Sequence, residues 1–72
     1  MSTESVIILD IDFNEVEVPL ENLEDVVPVD NEEYFEAEEL EVQLKDESVI
    51  RCFKQDQSFE TIAILNQVYD TV

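Results

Sequence analysis

Hydrophobic and polar residues alternate strictly in two separate stretches of the chain. In the first, Leu9, Ile11 and Phe13 alternate with Asp10 and Asp12; after Asn14-Glu15, Val16, Val18 and Leu20 alternate with Glu17 and Pro19. A period of two, rich in β-branched residues, predicts two strands with one apolar face each, a hairpin near 7–20. Pro19 has no N–H to give a ladder, so the second strand lies at an edge or ends there. In the second stretch, Leu40, Val42 and Leu44 alternate with Glu41 and Gln43, a polar "KDES" turn follows, and "VIRCFK" returns. This predicts another hairpin, near 40–54.

Between and beyond the hairpins the period changes. Asn22-Leu23-Glu24-Asp25 reads as a single helical turn that Pro28 would stop. "VDNEEYFEAEE" reads as loop, or as a short helix capped by Asp30 or Asn31. In the closing segment Ser58 is a fair N-cap with Glu60 in the first turn, and Phe59, Ile62, Leu65 and Tyr69 fall near one helical face. A helix near 58–70 is expected, with a strand over Thr61–Leu65 as the competing reading because β-branched residues are frequent there. The expected class is α+β: a small antiparallel sheet of three to five strands with one C-terminal helix, all-β being the alternative. Seventy-two residues are expected to make one domain, 1–72, with a marginal core, since a chain this short buries only about 60% of its unfolded surface.

Charge changes the picture most. Twenty acids face three bases, a formal net charge of −17, and no base precedes Lys45 whereas fifteen acids do. Such a chain repels itself, so added salt should stabilise it. Nucleic acid and anionic membranes are excluded as direct partners, and a basic protein surface is the natural one. Self-association is left open. With 44% hydrophobic residues, six of them aromatic, the chain has the means to form a core despite its charge. It has no basic, apolar leader and no run of eighteen apolar residues, so a cytoplasmic location is expected, the host cytoplasm or a virion if the source is viral.

Candidate chemistry is sparse. There is no histidine to activate the single cysteine, Cys52, which is expected to be a small buried side chain, and no glycine to build a phosphate loop. "VIILDIDFN" resembles the opening motif of the haloacid-dehalogenase-type phosphotransferases, in which the first Asp is a nucleophile and the second a general acid. That resemblance would give Asp10 and Asp12 those roles. The family's motif sits in a much larger parallel-sheet domain with further acids for Mg²⁺ and a phosphate-binding Lys, and Asn14 replaces its usual Thr or Val. Asp10, Asp12, Asn14 and Glu21 also match the ligand spacing of a calcium loop, but Glu15 stands where Gly makes its sharp turn, and the preceding "SVIIL" is strand-like. No catalytic residue, metal ligand or cofactor is therefore assigned.

What remains is the acids as a surface. Along a strand, residues i and i+2 point the same way, about 6.6–6.8 Å apart, a spacing like that of successive phosphates. Asp10 with Asp12, Glu15 with Glu17, and Glu39 with Glu41 are expected as such pairs. Glu32, Glu33, Glu36 and Glu38 extend the cluster, with Tyr34 and Phe35 inside it as apolar anchor or core. Solubility of a small domain needs a net charge of only about 2–8, so the excess reads as functional. In composition the chain is similar to the small acidic DNA-mimic inhibitors made by phages and other mobile elements. That resemblance implies a non-enzymatic protein that blocks the nucleic-acid site of a host defence, repair or transcription protein. It rests on no motif and transfers no residue. A small virion or assembly accessory protein is the alternative.

Overall fold

The structure, a computed structural model, describes residues 4–29, 33–34 and 36–71. The elements run β1 (Ser5–Leu9), β2 (Glu15–Pro19), a 3-10 turn (Leu20–Asn22), β3 (Leu23–Pro28), β4 (Glu39–Leu44), β5 (Val49–Phe53), a second 3-10 turn (Lys54–Asp56) and α1 (Phe59–Thr71). The fold is α+β as expected, with the strands divided between two antiparallel sheets, β1-β2 and β3-β4-β5.

Both expected hairpins are present, and β2 ends at Pro19, with β1 as its sole strand partner among the described residues. The segment expected to be a helical turn is different. Only Leu20–Asn22 is 3-10, and Leu23–Pro28 is a third strand paired with β4. The apolar pair Val26-Val27 has a ready place there: Val26 lies opposite Val42 on the buried face, and Pro28, opposite Leu40, ends the strand. A register shift between Leu23 and Asp25 broke the alternation that would have revealed it. Glu33, Tyr34 and 36–38 form an irregular connection in which Glu33's carbonyl accepts from the amides of Glu36 and Ala37; the suggested caps, Asp30 and Asn31, lie outside the described residues.

The core lies where the two sheets and α1 meet: Val6, Ile8 and Val18 from the first sheet, Val26, Leu40, Val42 and Cys52 from the second, and Leu65 from the helix. In β4, Leu40 and Val42 point inward while Glu39 and Glu41 point out, as the period of two requires. In β1 the parity differs from expectation. Val6 and Ile8 are buried, whereas Ile11 and Phe13 are exposed, because the strand stops at Leu9 and residues 10–14 turn. The helix departs from expectation at two positions, Phe59 and Ile62, neither of which belongs to the row packed on the core. Its buried row is Thr61, Leu65 and their neighbours Ile64, Val68 and Tyr69, while Phe59 is 97% exposed. One turn earlier than Leu65 the packing face passes through Thr61, not Phe59, and Thr61 is there because its hydroxyl donates to the Ile7 carbonyl at 2.8 Å. Ser58 caps the helix, its Oγ accepting from the Thr61 amide at 3.2 Å.

The open edge of β1 is covered by a side chain. The Gln57 carboxamide accepts from the Leu9 amide at 2.9 Å and donates to the Leu9 carbonyl at 2.7 Å and to the Phe53 carbonyl at 3.0 Å. It makes to Leu9 the pair of bonds that a neighbouring strand would make.

Candidate acidic interface

Each hairpin closes with a three-residue loop whose last residue is left-handed, a common connection in which glycine usually takes that last place. The chain has no glycine, so Phe13 (φ 65°) and Glu47 (φ 73°) take the left-handed positions. Each costs about 1 kcal/mol for the close approach of Cβ to backbone. In the first loop the Asp10 amide donates to Asn14 and the Phe13 amide to Asp10, both at 3.0 Å. The Asp10 carboxylate then accepts from the amides of Asp12 and Asn14, both at 2.9 Å.

This corrects the expectation of a strand pair at Asp10 and Asp12. Asp10 is the latch of a turn, its Oδ1 occupied by two backbone amides, while Asp12 is exposed at the tip. The calcium spacing falls on a tight turn, a strand and a 3-10 turn, so Glu21 is carried away from Asp10 by the length of β2. Among the described residues, no three acids or cysteines gather as a metal site requires.

The other candidate acids fall as follows. Glu15 and Glu17 are exposed on one face of β2, and Ser5 donates to Glu17 at 2.7 Å. Glu39 and Glu41 share the outer face of β4, as expected, but Arg51 on β5 stands between them, 3.6 Å from Glu39 and 3.9 Å from Glu41. These contacts are half-exposed and long, so each adds little stability, yet the base halves the net charge of the pair. Glu33, Glu36 and Glu38 are exposed along the connection before β4; Glu32 and Phe35 lie outside the described residues.

The two acid-bearing segments, 10–17 and 39–41, are joined through β5. The Ile11 amide donates to the Arg51 carbonyl at 3.1 Å, which docks the first hairpin tip onto the strand that carries Arg51. Cys52, fully buried beside it, reports the same proximity. Its thiol is pushed up to about 11, by burial first and then by the negative fields of Glu39, Asp10 and Asp56. A thiol so raised is protonated at neutral pH and a poor nucleophile.

Tyr34 is core rather than anchor. It is 3% exposed, its ring stacks on Tyr69 with centroids 4.7 Å apart, and burial raises its phenol above the usual range, helped by Cys52 and Asp70. The Lys54 ammonium lies 4.8 Å from the Tyr34 ring centre and donates to the Tyr34 carbonyl. With the Lys54 amide donating to the Glu38 carbonyl at 2.8 Å, this pins the acidic connection to the end of β5. Two of the three bases thus organise acids or loops of the chain itself.

Sequence reasoning missed two exposed aromatics. Phe59 stands at the rim of a shallow groove lined also by Tyr34, Lys54, Ile62, Ala63 and Asn66. Phe13, 67% exposed, stands at the tip of the first hairpin beside Ile11, 41% exposed. The available signal for Phe13 was its place in a glycine-less loop; the four-residue apolar run Val6–Leu9 hid it by admitting either strand parity. No helix among the described residues is long and apolar enough to cross a membrane.

No protein-family model matches the chain, and neither do any curated protein or solved structure.

Proposed function

We propose that this chain is a non-enzymatic acidic binding protein, a DNA mimic of the phage type, that occupies the nucleic-acid-binding face of a basic protein in the host cytoplasm. The supporting observation is the docking of the Asp10–Glu17 hairpin onto β5, which puts acids separated by more than twenty residues of sequence around one part of the molecule. Asp12, Glu15 and Glu17 are the phosphate substitutes of this reading, continued by Glu33, Glu36, Glu38, Glu39 and Glu41. Asp10 holds the tip in shape. The sequestered, protonated Cys52 and the occupied Asp10 carboxylate favour binding over catalysis.

The test is a salt and competition experiment. Proteins that a host lysate yields to DNA-cellulose are passed over the immobilised chain, and dissociation constants of those retained are measured at 50 and 300 mM salt, with and without duplex DNA. Phosphate mimicry gives a steep loss of affinity with salt and competition by DNA. A flat salt profile without competition would end this reading and favour a virion or assembly subunit bound through its apolar edges.

A further inference from the structure

The side chain of Phe13 lies outside the hydrophobic core. It is two-thirds exposed and left-handed, and it sits in a loop whose shape is already fixed by the Asp10 carboxylate and the Ile11–Arg51 bond. A polar residue would hold the same turn at less cost. The loop that carries the ring is chemically specific. Asp10, Asp12 and Glu15 all lie within three residues of it, and the adjacent base, Arg51, is directed to Glu39 and Glu41. A second copy of the chain is a poor occupant, because two tips would meet acid against acid in a protein of charge −17. An anionic membrane is repelled for the same reason.

An arginine fits. Its planar, weakly hydrated guanidinium stacks on an aromatic face and at the same time offers a fork of N–H donors to a neighbouring carboxylate, which a lysine ammonium does not match. We infer that the Ile11–Glu15 tip is an arginine-docking element, in which the Phe13 ring is the platform and Asp12 and Glu15 are the flanking acceptors. This rests on the reading of the chain as a binder of basic surfaces and names the residue of the partner that it grips. In a nucleic-acid-binding face the same arginines contact phosphates and stack on bases, so the tip would offer such an arginine both kinds of contact at once.

The test uses hexa-arginine and hexa-lysine peptides, equal in charge, titrated into the ¹⁵N-labelled full chain at 50 mM salt. The arginine peptide should bind about two- to five-fold more tightly, the range of an exposed cation–π contact, with the largest amide shifts at residues 11–15. Phe13→Leu keeps an apolar side chain but removes the π face; both peptides should still bind, and the arginine preference should fall to the part that Asp12 and Glu15 supply. Asp12→Asn combined with Glu15→Gln should weaken both peptides alike. Equal binding of the two peptides by the unmodified chain, an arginine preference undiminished by Phe13→Leu, or shifts centred elsewhere would overturn the inference. Failure of DNA to compete for a natural target would sink the mimic reading but leave the peptide ratio intact. A ratio of one with DNA competition intact would remove only the role of Phe13.

Discussion

The two hairpin tips solve the same problem with the same backbone and different side chains. At Asp10–Asn14 and at Leu44–Ser48 the first residue's amide donates to the fifth residue's carbonyl, the fourth donates back to the first, and the fourth is left-handed. Each tip recruits an aspartate to hold a backbone amide: Asp10 holds two, Asp46 holds that of Ser48 at 3.0 Å. The second tip spends its left-handed place on Glu47, exposed and charged, as folding and solubility would have it. The first spends it on a two-thirds exposed phenylalanine. Since the fold asks the same of both places, the difference between them belongs to something other than the fold.

The hairpins also differ in how they are held, and this gives the largest expected effect. β4 and β5 belong to a three-stranded sheet, whereas the outer edge of β1 is satisfied by Gln57 and Thr61. Gln57→Ala removes three hydrogen bonds and leaves the Leu9 groups without them, a loss of about 3 kcal/mol. Amide exchange should accelerate more in residues 5–9 than in 49–53. Equal acceleration in both hairpins, or a loss below about 0.5 kcal/mol, would show that the first hairpin does not depend on this edge.

Cys52 probes whether the two hairpins stay docked. Its folded-state thiol lies above its ordinary range near 9, at about 11. The unfolded chain therefore releases the proton first as pH rises. The thiol's contribution is fully present below pH 9 and is lost as pH climbs through about 11, about 3 kcal/mol in all. Cys52→Ala should flatten that part of the alkaline slope. Asp10→Asn should lower the thiol's pKa, because one of the fields raising it comes from the opposite hairpin; no change would mean that the tip is not held against β5. Labelling of the thiol at pH 8 should require unfolding.

Much of this architecture was legible in the alternation of residues, and the misreadings have physical causes. Leu40-Glu41-Val42-Gln43-Leu44 has a single possible parity and was placed correctly. Val6-Ile7-Ile8-Leu9 has two, and the wrong one put Asp10 and Asp12 on a strand. β3 was lost because its irregular register destroys period two, and because Asn-Leu-Glu-Asp suits a helical turn as well as a strand entry. The helix was legible from its Ser58 cap, but not that Thr61 would take the buried place beside Leu65, since that depends on the Ile7 carbonyl fifty-four residues away. The acids Glu39 and Glu41 were placed on one outer face correctly. That Arg51 would bridge them follows from strand register, which alternation alone does not fix.

Substitution at the two left-handed positions sharpens the comparison of the tips. Asparagine tolerates the conformation several-fold better than most residues, so Phe13→Asn and Glu47→Asn should each raise stability, by up to about 1 kcal/mol, read from urea midpoints. The stability gains should be alike and the binding effects unlike. Phe13→Asn should weaken association with an arginine-bearing partner, while Glu47→Asn should leave it nearly unchanged. If Phe13→Asn destabilised the chain by a kilocalorie or more, the ring would have a packing role and the contrast between the tips would collapse.

The smallest effect concerns the latch of the second tip. Hydrogen bonds from the Ser48 side chain and amide, and a further one from Asn22, hold the Asp46 carboxyl below the usual carboxylate range. A lowered folded-state pKa means that the unfolded chain takes up the proton first. The contribution of Asp46 is therefore present above the ordinary range and disappears as pH falls through the folded value. The other nineteen acids complicate the raw acid profile, because protonating them relieves self-repulsion. That background is common to the unmodified chain and to Asp46→Asn, so the informative quantity is the gap between their urea midpoints from pH 6 to pH 2. Asn keeps an acceptor oxygen but cannot ionise; the gap should be small at pH 6 and should close as Asp46 becomes neutral. A gap that stays constant or widens in acid would mean that the charge of Asp46 does not hold the turn, and that the two tips are not closed by the same device.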